Sequence, residues 1–311
     1  MKIISLLPSS TEIICALGLE SDLIGVTHEC DFPPGIESKP HLTASRISHE
    51  TMTSREIDHM VRSQLDGHGS IYDLDADLLG QLSPDLIITQ ELCDVCAVNY
   101  KMVAGAAKIF AAGANIVSLE PNTIADILDN ILTVAELAGV AARGRDLTDS
   151  LRKRLDSVRS SSASVSYRPR VMMLEWLDPP FAPGHWVPEQ VEAAGGECVL
   201  GQKGERSALT DFQAILDAKP EVLILIPCGY NITDIIRQLA STQFPAEWRS
   251  MPAIRDRRIW ALDASGCFSR PGPRVIDGVE ILARVLHPEI FGFPTEKQAV
   301  RVSENMIRFQ D

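Results

Sequence analysis

Short runs of aliphatic residues alternate with helix-like periodic stretches over most of the 311-residue chain. The runs are almost continuously apolar, which is typical of parallel strands buried on both faces. They predict strands at Lys2–Leu6, Asp22–Val26, Asp85–Thr89, Asn115–Ser118, Arg170–Leu174, Glu221–Ile226 and Arg258–Leu262. The stretches between them predict helices that include Ser10–Leu17, Ser54–Leu65, Asn99–Ala112 and Pro273–Leu286. This alternation predicts an α/β fold with mainly parallel sheets.

The middle of the chain has a different pattern. Apolar residues recur at helical spacing between residues 123 and 159, and Gly139 and Gly144 are expected to interrupt the helix. The run Ser160–Ser164 has the composition of a flexible linker. We therefore predict two three-layer α/β lobes joined by a long connector helix. The predicted boundaries are 1–120 for the N-terminal lobe, 121–164 for the helical connector and linker, and 165–311 for the C-terminal lobe.

Charge and hydropathy narrow the classes of partner. The chain has 29 basic and 42 acidic residues, a net charge of −13, which disfavours nucleic acid because phosphate binding needs clustered cations. No run approaches the about 18–20 apolar residues of a membrane span. The first apolar run stops at Pro8, short of the about 7–15 residues of an export signal. A cytoplasmic location is expected, or a periplasmic or lipid-anchored one if the start is mis-set.

Candidate binding residues follow the strands, because ligands of open parallel sheets bind beyond the carboxyl ends of the strands. Aromatic residues make up only 5% of the chain, yet Trp176, Phe181 and Trp186 fall in one proline-rich loop. This loop either packs on its own lobe or forms an apolar wall for a large planar ligand. His185 either packs or binds in the same loop. Arg270 either forms a structural salt bridge or binds a carboxylate, amide or phosphate oxygen.

Most of the seven cysteines also follow predicted strands, and their spacing is irregular. Irregular spacing and an odd count indicate reduced thiols, not a disulfide framework. The thiols either line a cleft or hold a metal. In the second case Cys93 and Cys96 form a CxxC that His28 and Cys30 would complete as a zinc site, with Cys228 as a further candidate ligand. Several thiolates would also suit an iron–sulfur cluster. A catalytic Cys–His pair, Cys30 with His28 or Cys228 with His185, is a further alternative.

Four segments together resemble a known family. They are Ser5–Glu12 with Ala16–Gly18, Gly25–Pro34 with its Asp-Phe-Pro-Pro turn, Pro179–Gly184 with Glu192–Gly196, and Phe268–Arg274. This combination is similar to the cobalamin-type substrate-binding proteins of ABC importers, whose two lobes are joined by one long helix. The resemblance extends over about the whole chain. It implies a non-catalytic protein that binds a corrinoid in the interlobe cleft.

Site residues follow from the resemblance position by position. Phe181 and Arg270 match positions that contact the corrinoid, Pro8 matches one beside it, and Tyr72 matches a first-lobe aromatic. The complete predicted ligand-binding set is Pro8, Ser9, Ser10, His28, Tyr72, Trp176, Phe181, His185, Trp186, Gly229, Phe268 and Arg270.

The resemblance also implies a permease partner, which family members contact through one glutamate per lobe. Here Asp77 occupies the first position, and the second falls near Phe212 with no aligned glutamate, so the permease partner stays open. The leading hypothesis is therefore a cobalamin-binding protein without catalytic activity. The alternatives are a metal or iron–sulfur protein, as an enzyme or sensor, and an exported importer subunit.

Overall fold

The computed structural model describes residues 1–45, 47–48, 51–66, 72–90, 103–107 and 113–310. The chain forms two compact units. Unit 1 comprises Met1–Ser48, His59–Pro121 and Ala125–Ser150, and unit 2 comprises His49–Asp58, Asn122–Ile124 and Leu151–Asp311. These units are discontinuous in sequence, whereas the predicted boundaries at residues 120 and 165 are single positions along the chain. Those boundaries stay a prediction.

A parallel sheet of order β2-β1-β5-β6 forms the centre of unit 1. Its strands are β1 (Ile3–Ser5), β2 (Leu23–Gly25), β5 (Leu86–Thr89) and β6 (Asn115–Ser118). The side chains of β1 and β5 are fully buried, so both strands have apolar neighbours on both faces. The aliphatic runs of the sequence correctly predicted each strand of this sheet.

Helices and one short strand pair complete the described part of unit 1. The pair is antiparallel, between β3 (Thr43–Ser45) and β4 (Tyr72–Leu74). The helices are Pro8–Ala16, Ala76–Leu82, residues 103–107, Ile124–Leu137, the first part of Ala141–Ser162 and the larger part of Ser54–Asp66. The predicted helix Asn99–Ala112 lies outside the described residues except for 103–107, which are helical.

Unit 2 is built on a sheet of order β10-β7-β12-β14-β15, in which only β15 is antiparallel to its neighbour. The strands are β7 (Arg170–Leu174), β10 (Glu197–Cys198), β12 (Val222–Leu225), β14 (Ile259–Leu262) and β15 (Ala299–Arg301). Two smaller sheets lie outside it: β8 (Trp176–Leu177), β9 (Pro180–Ala182) and β11 (Ala208–Leu209) in one, and β13 (Gln243–Phe244) with β16 (Arg308–Phe309) in the other.

The helices of unit 2 follow its strands. They are Val187–Ala193, Phe212–Asp217, Ile232–Leu239, Pro252–Arg255, Ala264–Cys267, Val275–Leu286 and Pro288–Phe291. Asn231 and Asp234 form a capping box at the start of Ile232–Leu239, with each side chain bonded to the other residue's backbone N–H. The α/β alternation predicted for the second half of the chain is thus confirmed.

Two helices form the predicted connector, Ile124–Leu137 and the 22-residue Ala141–Ser162. A methyl group on Gly144 would lie 2.4 Å from the Cβ atom of Ala135, so glycine permits the close approach of these helices. The predicted linker at Ser160–Ser164 is wrong in its first part, because the helix continues to Ser162, which is 1% exposed. Tertiary burial outweighs the weak helix propensity of serine here. None of the helices in the described ranges is long and apolar enough to span a bilayer.

Candidate functional site

Hydroxyl groups meet beyond the carboxyl end of β1 in unit 1. Ser5 ends that strand, and its Oγ lies 2.5 Å from the Oγ of Ser10 and accepts a hydrogen bond of 2.8 Å from Thr11. Ser10 also donates to the carbonyl of Leu7. Cys30, from the loop after β2, brings its thiol to 3.1 Å from the Thr11 hydroxyl. This cluster is buried, so its polar groups satisfy one another.

Pro8 and Ser9 begin the helix that follows this cluster. Pro8 occupies the first helical turn, where its missing N–H breaks no helical hydrogen bond. Ser9 is 2% exposed and Ser10 is fully buried. The predicted ligand-binding role of these three residues stays a prediction, and in this structure both serines are closed to solvent.

His28 and Tyr72 lie side by side in unit 1 with ring centroids 5.5 Å apart. The Nδ1 atom of His28 hydrogen-bonds the Thr43 hydroxyl at 2.7 Å, and its Nε2 atom lies 3.3 Å from a carboxylate oxygen of Glu29. Tyr72 also packs against the hydrophobic core that includes Ile4 and Leu42. Both rings are partly buried. The sequence prediction placed these residues in the first-lobe half of the site, and the structure brings them together.

Trp176 and Phe181 form a second aromatic pair, in unit 2. They oppose each other in the antiparallel hairpin β8–β9, with Asp178 in its turn. Side chains directly opposite in such a hairpin lie on the same face, and both rings are partly exposed. The rings of Trp176 and Tyr230 also pack edge to face, with their centroids 5.5 Å apart. The structure therefore presents the two predicted aromatics as one apolar surface.

Trp186 and Phe268 differ from that pair because they belong to the core of unit 2. They are 5% and 2% exposed, and the Trp186 indole N–H donates to the Phe268 carbonyl at 2.8 Å. Their predicted contact with a ligand stays a prediction. Here they pack inside unit 2, which is the first of the two readings considered for this loop.

His185 lies between Phe181 and Trp186 along the chain, and the centroid of its ring is 5.6 Å from that of Trp186. Its backbone has a φ of +51°, a left-handed conformation that is uncommon outside glycine and asparagine. Within the described part of the chain its buried Nε2 atom has no hydrogen-bond partner. Burial, and then the charge of Arg206, lower the pKa of the imidazole, so the ring is neutral at pH 7.

The loops after β12 and β14 supply the remaining predicted residues. Gly229 has a φ of +80°, and its N–H donates to the Ser269 hydroxyl at 3.4 Å. Arg270, the next residue, is partly buried, and its carbonyl accepts a hydrogen bond from Gly272. These contacts join the two loops at the carboxyl end of the unit 2 sheet, where a ligand is expected.

The metal-site hypothesis finds no support in the described residues, among which no three His, Cys, Asp or Glu side chains group as a metal site. Cys93 and Cys96 lie outside the described residues. The Cys30 thiol forms hydrogen bonds with hydroxyl groups. Cys228 belongs to unit 2, whereas His28 belongs to unit 1. No zinc or iron–sulfur site is therefore assigned.

Sequence reasoning missed several residues that shape the unit 2 loop. Ser54 accepts the Trp176 indole N–H, and Arg55 pairs with Asp178. The Glu175 carboxylate accepts hydrogen bonds from the Gly184 N–H and the Ser207 hydroxyl. Partners separated by about 30 to 120 residues leave no local pattern. The one available signal was Glu175 itself, an acidic residue directly after a buried strand.

The fold and the two groups of residues at strand ends define a two-unit α/β binding protein. The sequence profile of the family described as "Periplasmic binding protein" matches residues 3–265, and the chain belongs to this family. It is a substrate-binding protein and not an enzyme, as the sequence predicted.

Known binding proteins are similar to this chain in sequence and in fold. A vitamin B12-binding protein of Vibrio cholerae is 25% identical over 284 residues, 90% of this chain and 86% of that protein. An ABC transporter substrate-binding lipoprotein of Bacillus subtilis, itself uncharacterized, is 23% identical over 295 residues, 93% of this chain and 81% of its own. The crystal structure of a periplasmic heme-binding protein from Pseudomonas aeruginosa has the same fold, with a TM-score of 0.73, 18% identity and coverage of 97% and 99%.

Proposed function

We propose that this chain binds a corrinoid such as cobalamin, as the substrate-binding component of an ABC importer. The observation that supports this most is the partly exposed Trp176–Phe181 pair on β8–β9. Flat aromatic rings suit the large planar macrocycle of a corrinoid. Similarity to a vitamin B12-binding protein over 90% of the chain supports the same ligand class.

Two kinds of group in unit 2 would contribute to binding. In unit 2 the two aromatic rings offer apolar contact, and the guanidinium of Arg270 offers hydrogen-bond donors for the amide oxygens that edge a corrinoid. Each of these proposed roles can be tested by substituting one residue at a time.

Isothermal titration of purified protein with cyanocobalamin tests the ligand. Phe181→Ala should weaken binding about 10-fold or more, because the protein loses an aromatic ring that the bound ligand would cover. Phe293→Ala is the matched control, since Phe293 is a phenylalanine of unit 2 that is 79% exposed. Equal affinities for the two variants would contradict the assigned surface.

Haem is the second candidate, and the His28–Tyr72 pair favours it. Histidine and tyrosine are both known axial ligands of haem iron, and their rings are 5.5 Å apart here. Titration with hemin should then produce a Soret band that shifts in His28→Ala or Tyr72→Phe. If cyanocobalamin binds, and the Soret band of hemin stays at its position in free hemin when the protein is added, haem is ruled out as the ligand.

The importer role also includes a permease and a location outside the cytoplasm, in contrast to the cytoplasmic location expected from the sequence. Asp77 is exposed on the helix Ala76–Leu82, as a docking residue must be. Cell fractionation followed by immunoblotting decides the location. Recovery in the cytoplasmic fraction alone would contradict the importer role and leave corrinoid binding unaffected.

A further inference from the structure

A segment of the chain from its N-terminal half packs in unit 2. Residues 51–58, which we call the 51–58 segment, include the first turns of the helix Ser54–Asp66. The chain on either side of this segment, through Ser48 and from His59, belongs to unit 1. The segment is therefore held in unit 2 by its own contacts.

Gln238 supplies two of those contacts. This side chain, on the helix Ile232–Leu239, is 4% exposed. Its Nε2 atom donates to the Met52 carbonyl at 2.7 Å, and its Oε1 atom accepts from the Ser54 N–H at 3.3 Å. Both ends of one buried amide thus bind the backbone of the segment, which sets its register.

Arg55 supplies an ion pair. Its Nε and Nη2 atoms donate to the two carboxylate oxygens of Asp178 at 3.1 Å each, a bidentate geometry. Asp178 lies in the turn of the hairpin that carries Trp176 and Phe181. The segment is thereby tied to the turn of the proposed ligand surface.

Ser54 connects the segment to the aromatic surface itself. Its carbonyl accepts a hydrogen bond from the indole N–H of Trp176 at 3.1 Å. This bond restrains the side-chain torsions that orient the ring. The ring of Tyr230, which is fully buried, packs edge to face with the indole. Trp176 nevertheless remains partly exposed, so a ligand can meet the ring while the segment holds it.

We propose that the 51–58 segment is a positioning element for the ligand surface, with Arg55 and Gln238 as positioning residues that hold Trp176 ready for the ligand. This inference rests on the proposed function and extends it to residues outside the surface. A preorganised ring loses less entropy on binding than a mobile one. Because such coupling is reciprocal, bound ligand must also favour the docked segment.

The first test needs no ligand. The chain has four tryptophans, so a ¹⁵N–¹H spectrum shows four indole signals, and Trp176→Phe assigns the one of interest. In Arg55→Ala and Gln238→Ala the Trp176 indole proton should shift and exchange faster with solvent. Arg255→Ala is the matched control, because it removes another exposed Arg–Asp pair of unit 2. An unchanged Trp176 signal in both variants would overturn the proposal.

The second test is titration with cyanocobalamin. Arg55→Ala should bind about 2- to 5-fold more weakly, as loss of an exposed ion pair allows, and Gln238→Ala more weakly still. The exchange Arg55→Asp with Asp178→Arg should recover part of the loss. Wild-type affinity in both single variants would overturn the inference alone. Failure of the wild-type chain to bind would instead overturn the proposed function, and the indole signals would still decide whether the segment positions Trp176.

Discussion

The Glu189 carboxylate makes three polar contacts within unit 2. Its carboxylate is 8% exposed and lies 3.0 Å from both the Arg159 guanidinium and the Lys203 ammonium, while the Ile124 N–H donates to its second oxygen at 3.1 Å. A buried carboxylate is costly unless it is paired and hydrogen-bonded, as it is here. One side chain thus joins the starts or ends of helices far apart in sequence.

Glu189→Gln should lower the free energy of unfolding by about 1–3 kcal/mol, because a buried carboxylate loses its charge and two half-exposed cations lose their partner. Urea unfolding monitored by circular dichroism measures the change. Glu192→Gln, an exposed residue of the same helix, should stay within about 0.5 kcal/mol of wild type. Equal losses in the two variants would mean that the ion pairs contribute nothing specific.

His185 carries a second residue-scale prediction, in pH dependence. Because the folded protein holds the pKa of this imidazole below its usual value, protonation disfavours the fold. Its contribution to stability is present above the unfolded value of about 6.5 and is lost as the pH falls below it. His185→Asn should therefore lose less stability than wild type between pH 7 and pH 5, and asparagine tolerates the backbone φ of +51°.

Urea titrations at both pH values decide this prediction. His59→Asn, which replaces an exposed histidine on the helix Ser54–Asp66, is the matched control for the histidine-to-asparagine exchange. Parallel profiles for wild type and His185→Asn would contradict the assignment.

At the scale of elements, Arg154 anchors the longest helix. From the middle of Ala141–Ser162 its guanidinium reaches Asp277 at 2.5 Å and Glu280 at 2.8 Å, both on the helix Val275–Leu286. The fork of donors binds two carboxylates one helical turn apart, which a lysine cannot do in the same way. The group is about one-third exposed, so water screens much of the attraction.

Arg154→Met should cost about 1 kcal/mol of unfolding free energy, and less as salt rises. Lys153→Met, an exposed neighbour on the same helix, is the control and should leave stability unchanged. Thermal unfolding at low and high salt measures both. A salt-independent loss would contradict a contribution from the charge of Arg154.

The elements also show what the sequence can predict. Most strands of the two main sheets were predictable because their runs are largely apolar, as in β12 with Val222 to Leu225 all buried, whereas β10 and β15 of the unit 2 sheet were not predicted. Some two- and three-residue strands, such as β8 and β11, were missed because so short a segment has no measurable period. Serines misled the prediction at residues 160–162, where packing decides the structure.

For the site, the residue types were predictable and their partners were not. Trp176 and Phe181 stood out because aromatic residues are rare in this chain, and the hairpin brings them together. Gln238 and Arg55 carry no such signal, since a glutamine in a helix and an arginine in a first turn are ordinary. Their role depends on pairing across more than 120 residues, which only the folded chain reveals.

At the scale of the whole molecule, the chain runs between its units more than once. The helix Ser54–Asp66 begins in unit 2 and continues in unit 1, and the helix Ala141–Ser162 passes from unit 1 to unit 2 at Leu151. Helical connections resist bending more than extended ones do. We expect limited motion at these helices, which amide hydrogen exchange would show as continuous protection through residues 141–162 with and without ligand.

The central claim is that this member of the periplasmic binding protein family binds a corrinoid. Isothermal titration of the purified wild-type chain with cyanocobalamin tests it most directly. We predict saturable binding of one ligand per chain with a dissociation constant in the micromolar range or below. Absence of saturation up to about 1 mM, which leaves no more than about −4 kcal/mol of binding free energy, would contradict it.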